Sequence, residues 1–113
     1  MEITTEKTDS VVVVGLAADS LDASNTNEFK STAAQSVQPK TKMVLDLTQV
    51  QFIDSSGIGA ILALLRKVTE TGGDLKLSGL NQQVRTLFEL VRLHHILDIY
   101  DTREEATKAY QKG

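Results

Sequence analysis

Val44-Leu45-Asp46-Leu47-Thr48-Gln49-Val50-Gln51-Phe52-Ile53-Asp54-Ser55-Ser56-Gly57-Ile58-Gly59 joins two different hydrophobic rhythms. From Met43 to Ile53 the chain is apolar at the density of a buried strand and its exit. From Ile58 to Val68 it is strongly apolar again, now with Ile58, Ile61, Leu62, Leu65 and Val68 at helical spacing. Asp54-Ser55-Ser56-Gly57 is therefore a corner where the chain leaves a sheet and starts a helix. The first amides of a helix lack intrahelical partners and the macrodipole is positive there, so a phosphate finds donors and a favourable field. A serine at such a corner can cap the helix, act as a nucleophile, or accept a phosphoryl group from another protein.

Outward from the corner, strands and helices alternate. Val11-Val12-Val13-Val14 reads as a buried strand, with Glu2 to Lys7 as an edge strand paired to it through a turn at Asp9-Ser10. Asp22 to Val37 reads as an amphipathic helix, capped by Asp22, Ser24 or Asn25 and burying Phe29, Ala33 and Val37. Pro39 marks a loop before a strand over Lys42 to Leu47. Gly72-Gly73 ends the helix that follows the corner, as a left-handed cap does. Leu75-Lys76-Leu77 is a short strand, and Gln82 to Val91 a helix with Val84, Leu87, Phe88 and Val91 inward. Ile96 to Tyr100 forms a last strand. Thr102-Arg103-Glu104-Glu105 opens a C-terminal helix with Ala106, Ala109 and Tyr110 facing the core. The expected fold is one α/β domain over residues 1–113. It has a mixed, mostly parallel sheet of four to five strands and about four helices, joined by right-handed crossovers. In such folds partners gather where strands end and helices begin, and the Asp54–Gly57 corner occupies such a place.

Composition narrows the function. The chain has 113 residues, 24% charged, with a formal net charge of −3. Its Lys and Arg are scattered, which argues against nucleic acid or an anionic membrane surface as partner. With no cysteine there is no disulfide framework, thiol nucleophile or thiolate metal site. No apolar run approaches the roughly 20 residues of a bilayer span, and the first residues lack the pattern of a signal peptide. A soluble cytoplasmic protein, monomeric or weakly dimeric, is the expectation.

Other chemistries find little support. A serine nucleophile needs a base and an oxyanion hole. The two histidines, His94 and His95, stand together in the connection before the last strand, and no Gly-x-Ser-x-Gly elbow exists. Adjacent histidines without cysteine do not close a metal site. Asp46 and Asp54 lack the second acid of a phospho-acceptor pocket after the first central strand, so Asp54 reads as an anchor for the turn. Gly15 and Gly57-x-Gly59 do not make a phosphate-binding glycine fingerprint. Basic residues from Arg85 to Arg103 read as a solvated face. What does stand out is the helix start Gly57-Ile58-Gly59-Ala60. Two early glycines each cost about 1 kcal/mol relative to alanine, which makes sense if something must approach the backbone. Ala60, Ala63 and Leu64 fall off the expected buried face and would leave a smooth apolar patch beside the serines, which suggests protein docking.

Taken as one string, Val44 to Gly59 closely resembles the STAS domain of bacterial anti-sigma factor antagonists, and the likeness extends over nearly the whole chain. The Leu21-Asp22-Ala23 turn, the Gly72-Gly73 break and Val84-Arg85-Thr86-Leu87-Phe88 support it. Asp19 departs from the family, which usually has glycine there; aspartate tolerates left-handed backbone better than most residues. The resemblance implies that the unphosphorylated protein binds an anti-sigma factor that is also a serine kinase, freeing a sigma factor. It implies that this kinase phosphorylates Ser56, with Ser55 the lesser candidate, and that a metal-dependent serine phosphatase resets the switch. The ATP and Mg²⁺ would belong to the kinase; this chain would be a substrate without a cofactor of its own. The implied partner surface comprises Asp22, Asp54, Ser55, Ser56, Gly57, Ile58, Gly59, Ala60, Ala63 and Leu64. Two alternatives use the same fold: a phospho-switch in another partner-switching pathway, and an accessory subunit of a membrane transport system.

Overall fold

A computed structural model describes residues 1–111. Strand β1 (Glu2–Thr8) turns into β2 (Val11–Ala17) through Asp9 and Ser10, both at positive φ (51° and 70°), the mirror-image turn that matches the twist of a hairpin. The other sheet strands are β4 (Lys42–Asp46), β6 (Asp74–Ser78) and β7 (Asp98–Tyr100). Their order is β1-β2-β4-β6-β7, with β1 antiparallel to β2 and every later pairing parallel. Helices α1 (Thr26–Ala34), α2 (Ser55–Glu70), α3 (Gln82–Leu90) and α4 (Arg103–Gln111) complete the α/β fold.

A feature that the sequence pattern did not announce is a second, two-stranded parallel ribbon. Here β3 (Ser20–Leu21) pairs with β5 (Phe52–Ile53), in register Leu21 to Ile53. Two residues per strand are too few for alternation to be visible, and each strand exists only through the other.

Alternation along the central strands divides two cores. Val14, Leu16, Met43, Leu45, Leu75 and Leu77 face α1, α2 and α3, and meet Phe29, Ile61, Val84 and Phe88 in the main core. Val11, Val13 and Val44 face the other way and are covered by α4 through Ala106, with Tyr100 and Tyr110 at its edge. Helix α2 lies against both the sheet and α1, so its buried residues are Gly57, Ala60, Ile61, Leu64 and Val68, while Ile58, Leu62 and Leu65 are only partly covered.

Three boundaries differ from the sequence expectation. Helix α1 spans Thr26–Ala34 rather than residues 22–37, because Asp22 and Ser24 are engaged in a turn before it. The last strand begins at Asp98, since Leu93–His95 forms a 3-10 turn and Ile96 is exposed. Val91 is likewise exposed, past the end of α3, rather than part of its inward stripe.

Candidate functional site

The corner is built from the cap outward. Asp54 has an extended backbone and occupies the N-cap of α2, where its Oδ1 accepts the Gly57 N–H at 2.9 Å. Its backbone is tied down as well: its N–H donates to the Leu21 carbonyl (3.3 Å), and its own carbonyl accepts from Ile58 N–H (3.0 Å). The aspartate therefore does the capping, which leaves Ser55 and Ser56 as the first two helical residues. Both are exposed, and among the described residues neither hydroxyl has a protein partner.

The two glycines of the first turn have opposite surroundings. A Cβ on Gly57 would lie 2.3 Å from the Leu21 carbonyl oxygen and 2.6 Å from Ile53 Cγ2, so this buried glycine lets α2 close onto the β3–β5 ribbon. A Cβ on Gly59 would meet nothing within 4 Å, and Gly59 is exposed. The fold explains the first glycine and leaves the second unexplained.

The ribbon also places Asp22. Leu21 and Ile53 are paired, so Asp22 and Asp54 are the next residues along two adjacent parallel strands. Ser20 Oγ and Ser24 Oγ each donate to the Asp22 carboxylate at 2.6 Å, and the Ser24 N–H donates at 2.9 Å. Those donors hold the Asp22 carboxyl below the usual carboxylate range, so a negative charge stands near the serine corner.

Of the expected partner surface, the structure gathers Asp22, Asp54, Ser55, Ser56 and Gly59 at one end of α2, with Ile58 half-buried behind them. Gly57, Ala60 and Leu64 are buried in this structure, which corrects the expectation that Ala60 and Leu64 lie off the buried face, although Leu64 still lines a shallow surface depression with Ala63. The isoleucines and leucines at i, i+3 and i+4 suggested one face, but packing against α1 as well as the sheet buries the flank carrying the small residues. Ala63 is exposed, in a shallow depression beside Lys30, Ala34 and Lys67. His94 and His95 lie exposed on the 3-10 turn before β7.

Arg103 is a further correction, for it is only partly solvated and is tied into ion pairs. Its Nε and Nη2 donate to the buried Asp46 carboxylate (2.8 and 2.5 Å), and Nη1 donates to Glu6. Burial alone would raise the Asp46 carboxyl, but the hydrogen bonds from Thr48 and from Arg103 outweigh it and hold the group below its ordinary value. This network saturates the carboxylate, so Asp46 anchors the fold instead of offering itself to a substrate.

One surface had no sequence signal. Phe52, Ile53, Gln83, Val84, Thr86, Leu87 and Leu90 line a groove of about 220 Å³ between β5 and α3. Phe52 sits in a two-residue strand and Leu90 at a helix end, positions where periodicity has nothing to repeat.

Comparison with known proteins agrees with this architecture. A model of the STAS domain matches residues 2–106. The chain is 29% identical over 108 residues to the anti-sigma F factor antagonist of Paenibacillus polymyxa, covering 94% of this chain and 92% of that one. It is 30% identical over 107 residues to the anti-sigma-B factor antagonist of Listeria monocytogenes, covering 93% and 91%. It shares its fold with an anti-sigma-factor antagonist (STAS) domain protein from Planctomyces limnophilus, with a TM-score of 0.85 at 22% identity over 95% and 96% of the two chains. Among the described residues, no helix is long and apolar enough to cross a membrane.

Proposed function

This chain belongs to the STAS domain family, and on that premise we propose that it is an anti-sigma factor antagonist switched by phosphate on Ser56. Its unphosphorylated form binds an anti-sigma factor that is also a serine kinase, which releases the sigma factor. The kinase transfers the γ-phosphoryl group of its own ATP to Ser56 Oγ, ADP leaves, and the hydroxyl proton passes to a base of the kinase. A metal-dependent serine phosphatase later hydrolyses the ester with water. The observation that carries this reading is an exposed hydroxyl at the second position of α2, without a hydrogen-bond partner among the described residues, in a helix already capped by Asp54. The two named relatives are antagonists of anti-sigma factors, which supports the choice of partner.

The switch follows from charge and bulk. A phosphoserine adds about −1.5 to −2 charges near pH 7. The helix N-terminus can take that charge within the fold, through the macrodipole and first-turn amides. Against a partner packed over Gly59, the same group adds volume and must lose water. The neighbouring Asp22 and Asp54 add like-charge repulsion to an acidic partner surface or to the phosphate itself. A loss of about 3 kcal/mol weakens binding on the order of 100-fold.

The test is to incubate the purified chain with a candidate anti-sigma factor kinase and labelled ATP, reading phosphate transfer by mass spectrometry and complex stability by gel filtration. Ser56→Ala should bind and take no phosphate, Ser56→Asp should bind weakly, and Ser55→Ala should remain a substrate. Phosphate found on Ser55 or Thr48 would overturn the assignment.

A further inference from the structure

We propose that the cleft between the β1–β2 hairpin and the loop joining α1 to β4 binds a small polyanion, a molecule carrying two or more phosphate or carboxylate groups. The cleft encloses about 450 Å³, within the range of small-molecule pockets, and Lys7, Lys40 and Lys42 line it. Three of the chain's 12 lysines and arginines thus border one cavity of a protein whose formal net charge is −3. None of the three forms an ion pair among the described residues. The one acid of the lining, Glu6, does not neutralise them. Opposed residues of an antiparallel pair share a face of the sheet. Lys7 stands opposite Val12, on the side of the main core, whereas Glu6 stands opposite Val13, on the α4 side, where its carboxylate accepts from Arg103.

Lys40 points the same way on independent grounds. Its φ of 63° lies in the left-handed region, where glycine or asparagine fits and a long side chain is strained. Its N–H donates to the Thr71 carbonyl at 2.9 Å, which pins it there. The turn asks for a glycine; a cation beside the cleft is what a lysine adds. Neutral donors complete the lining. The side chains of Ser10, Gln35, Ser36 and Gln38 border the cleft and have no hydrogen-bond partner among the described residues. The carbonyls at the end of α1 are engaged, since Thr32, Ala33 and Ala34 accept the N–H groups of Gln35, Ser36 and Val37. Ammonium groups sharing a cavity repel one another, and a ligand with matching charges relieves that repulsion. A singly charged ligand would gain little more than one surface ion pair, so the site suits a polyanion. The cleft lies where β4 begins, whereas the serine corner lies beyond the end of that strand, so the two are separable by experiment.

The experiment is a proton–nitrogen NMR titration of the full chain with sodium pyrophosphate, with citrate and with acetate, at constant ionic strength. Pyrophosphate, citrate or both should give saturable shifts with a single Kd at the amides of Lys7, Gln38, Lys40 and Thr41, and acetate none. The tighter of the two assigns the site to phosphate or to carboxylate groups. Glycine suits the backbone at position 40, so Lys40→Gly should keep the wild-type Tm and raise Kd at least fivefold. Should its Tm fall, Lys40→Asn takes its place. Lys7→Gln should weaken binding to a similar degree, while Lys30→Gln, at an exposed position of α1, should bind as wild type. The absence of a saturable shift with either polyanion would overturn the site, as would an unchanged Kd in both Lys40→Gly and Lys7→Gln or equal weakening by Lys30→Gln. Saturable shifts confined to the amides of Ser55, Ser56 and Gly57 would place the anion at the start of α2 and refute the cleft.

Discussion

At Gly57 and Gly59 the same residue type serves two unrelated needs, and a single methyl group separates them. Gly57→Ala drives a Cβ against the Leu21 carbonyl, a backbone atom that cannot rotate away. Overpacking of that kind costs about 1–3 kcal/mol, and the short approach places this site near the upper end. Gly59→Ala meets open space and gains helix propensity, so it should stabilise the fold by about 0.5–1 kcal/mol. Urea unfolding of the two variants checks both signs. If a partner packs on the bare backbone, the more stable Gly59→Ala should bind its anti-sigma factor less tightly, an opposition that titration calorimetry can read. Asp54→Ala removes the cap and should cost about 1 kcal/mol, with α2 fraying at the end where Ser56 sits.

Among the elements, α4 depends most on polar anchors. It buries Ala106 and Thr107 but is fastened at one end by Arg103 to Asp46 and Glu6, and near the other by Tyr110. The Tyr110 hydroxyl lies 2.8 Å from both the Met43 and Asp74 carbonyl oxygens, and burial pushes the phenol well above its usual range. Arg103→Leu leaves the Asp46 carboxylate buried without its counter-charge, and should cost about 2 kcal/mol, toward the mild side because the guanidinium is partly in water. The pH dependence has a definite sign. Asp46 binds its proton less readily when folded than when unfolded, so its contribution is complete above the unfolded value of about 3.9. That contribution is lost as pH falls through the still lower folded value. Chemical denaturation at pH 7, 4 and 3 should show an acid-dependent loss in the wild type that is smaller in Asp46→Asn.

The two faces of the sheet are unequally built across the whole molecule. Among the described residues, 20 buried apolar side chains form the core beneath α1, α2 and α3, against 4 in the core beneath α4. Local opening follows buried apolar contact, so α4 amides should exchange with deuterium before those of α2, on a chain that otherwise unfolds cooperatively. Hydrogen-exchange mass spectrometry by segment checks this, and equal protection of the two helices would contradict it. The exposed edge of β1 carries Glu2, Glu6 and Lys7, charges that discourage strand addition by a second copy.

Most of the architecture was legible in the chain because strands and helices have different periods. Val11 to Val14, Lys42 to Leu47 and Ile58 to Val68 declare their elements locally, and Asp9-Ser10 and Gly72 stand where positive φ is needed. The serine corner was legible for the same reason, since it lies where one rhythm gives way to another. The β3–β5 ribbon, the burial of Ala60 and Leu64, and the pairing of Arg103 with Asp46 belong to the tertiary structure alone. Each depends on two segments far apart in sequence meeting in space: Ser20–Leu21 on Phe52–Ile53, α1 on α2, and α4 on β4. A helical pattern shows which residues are apolar, but the number of neighbours a helix acquires decides how wide its buried face becomes. For α2 that number is what separates a covered Ala60 from an open Gly59.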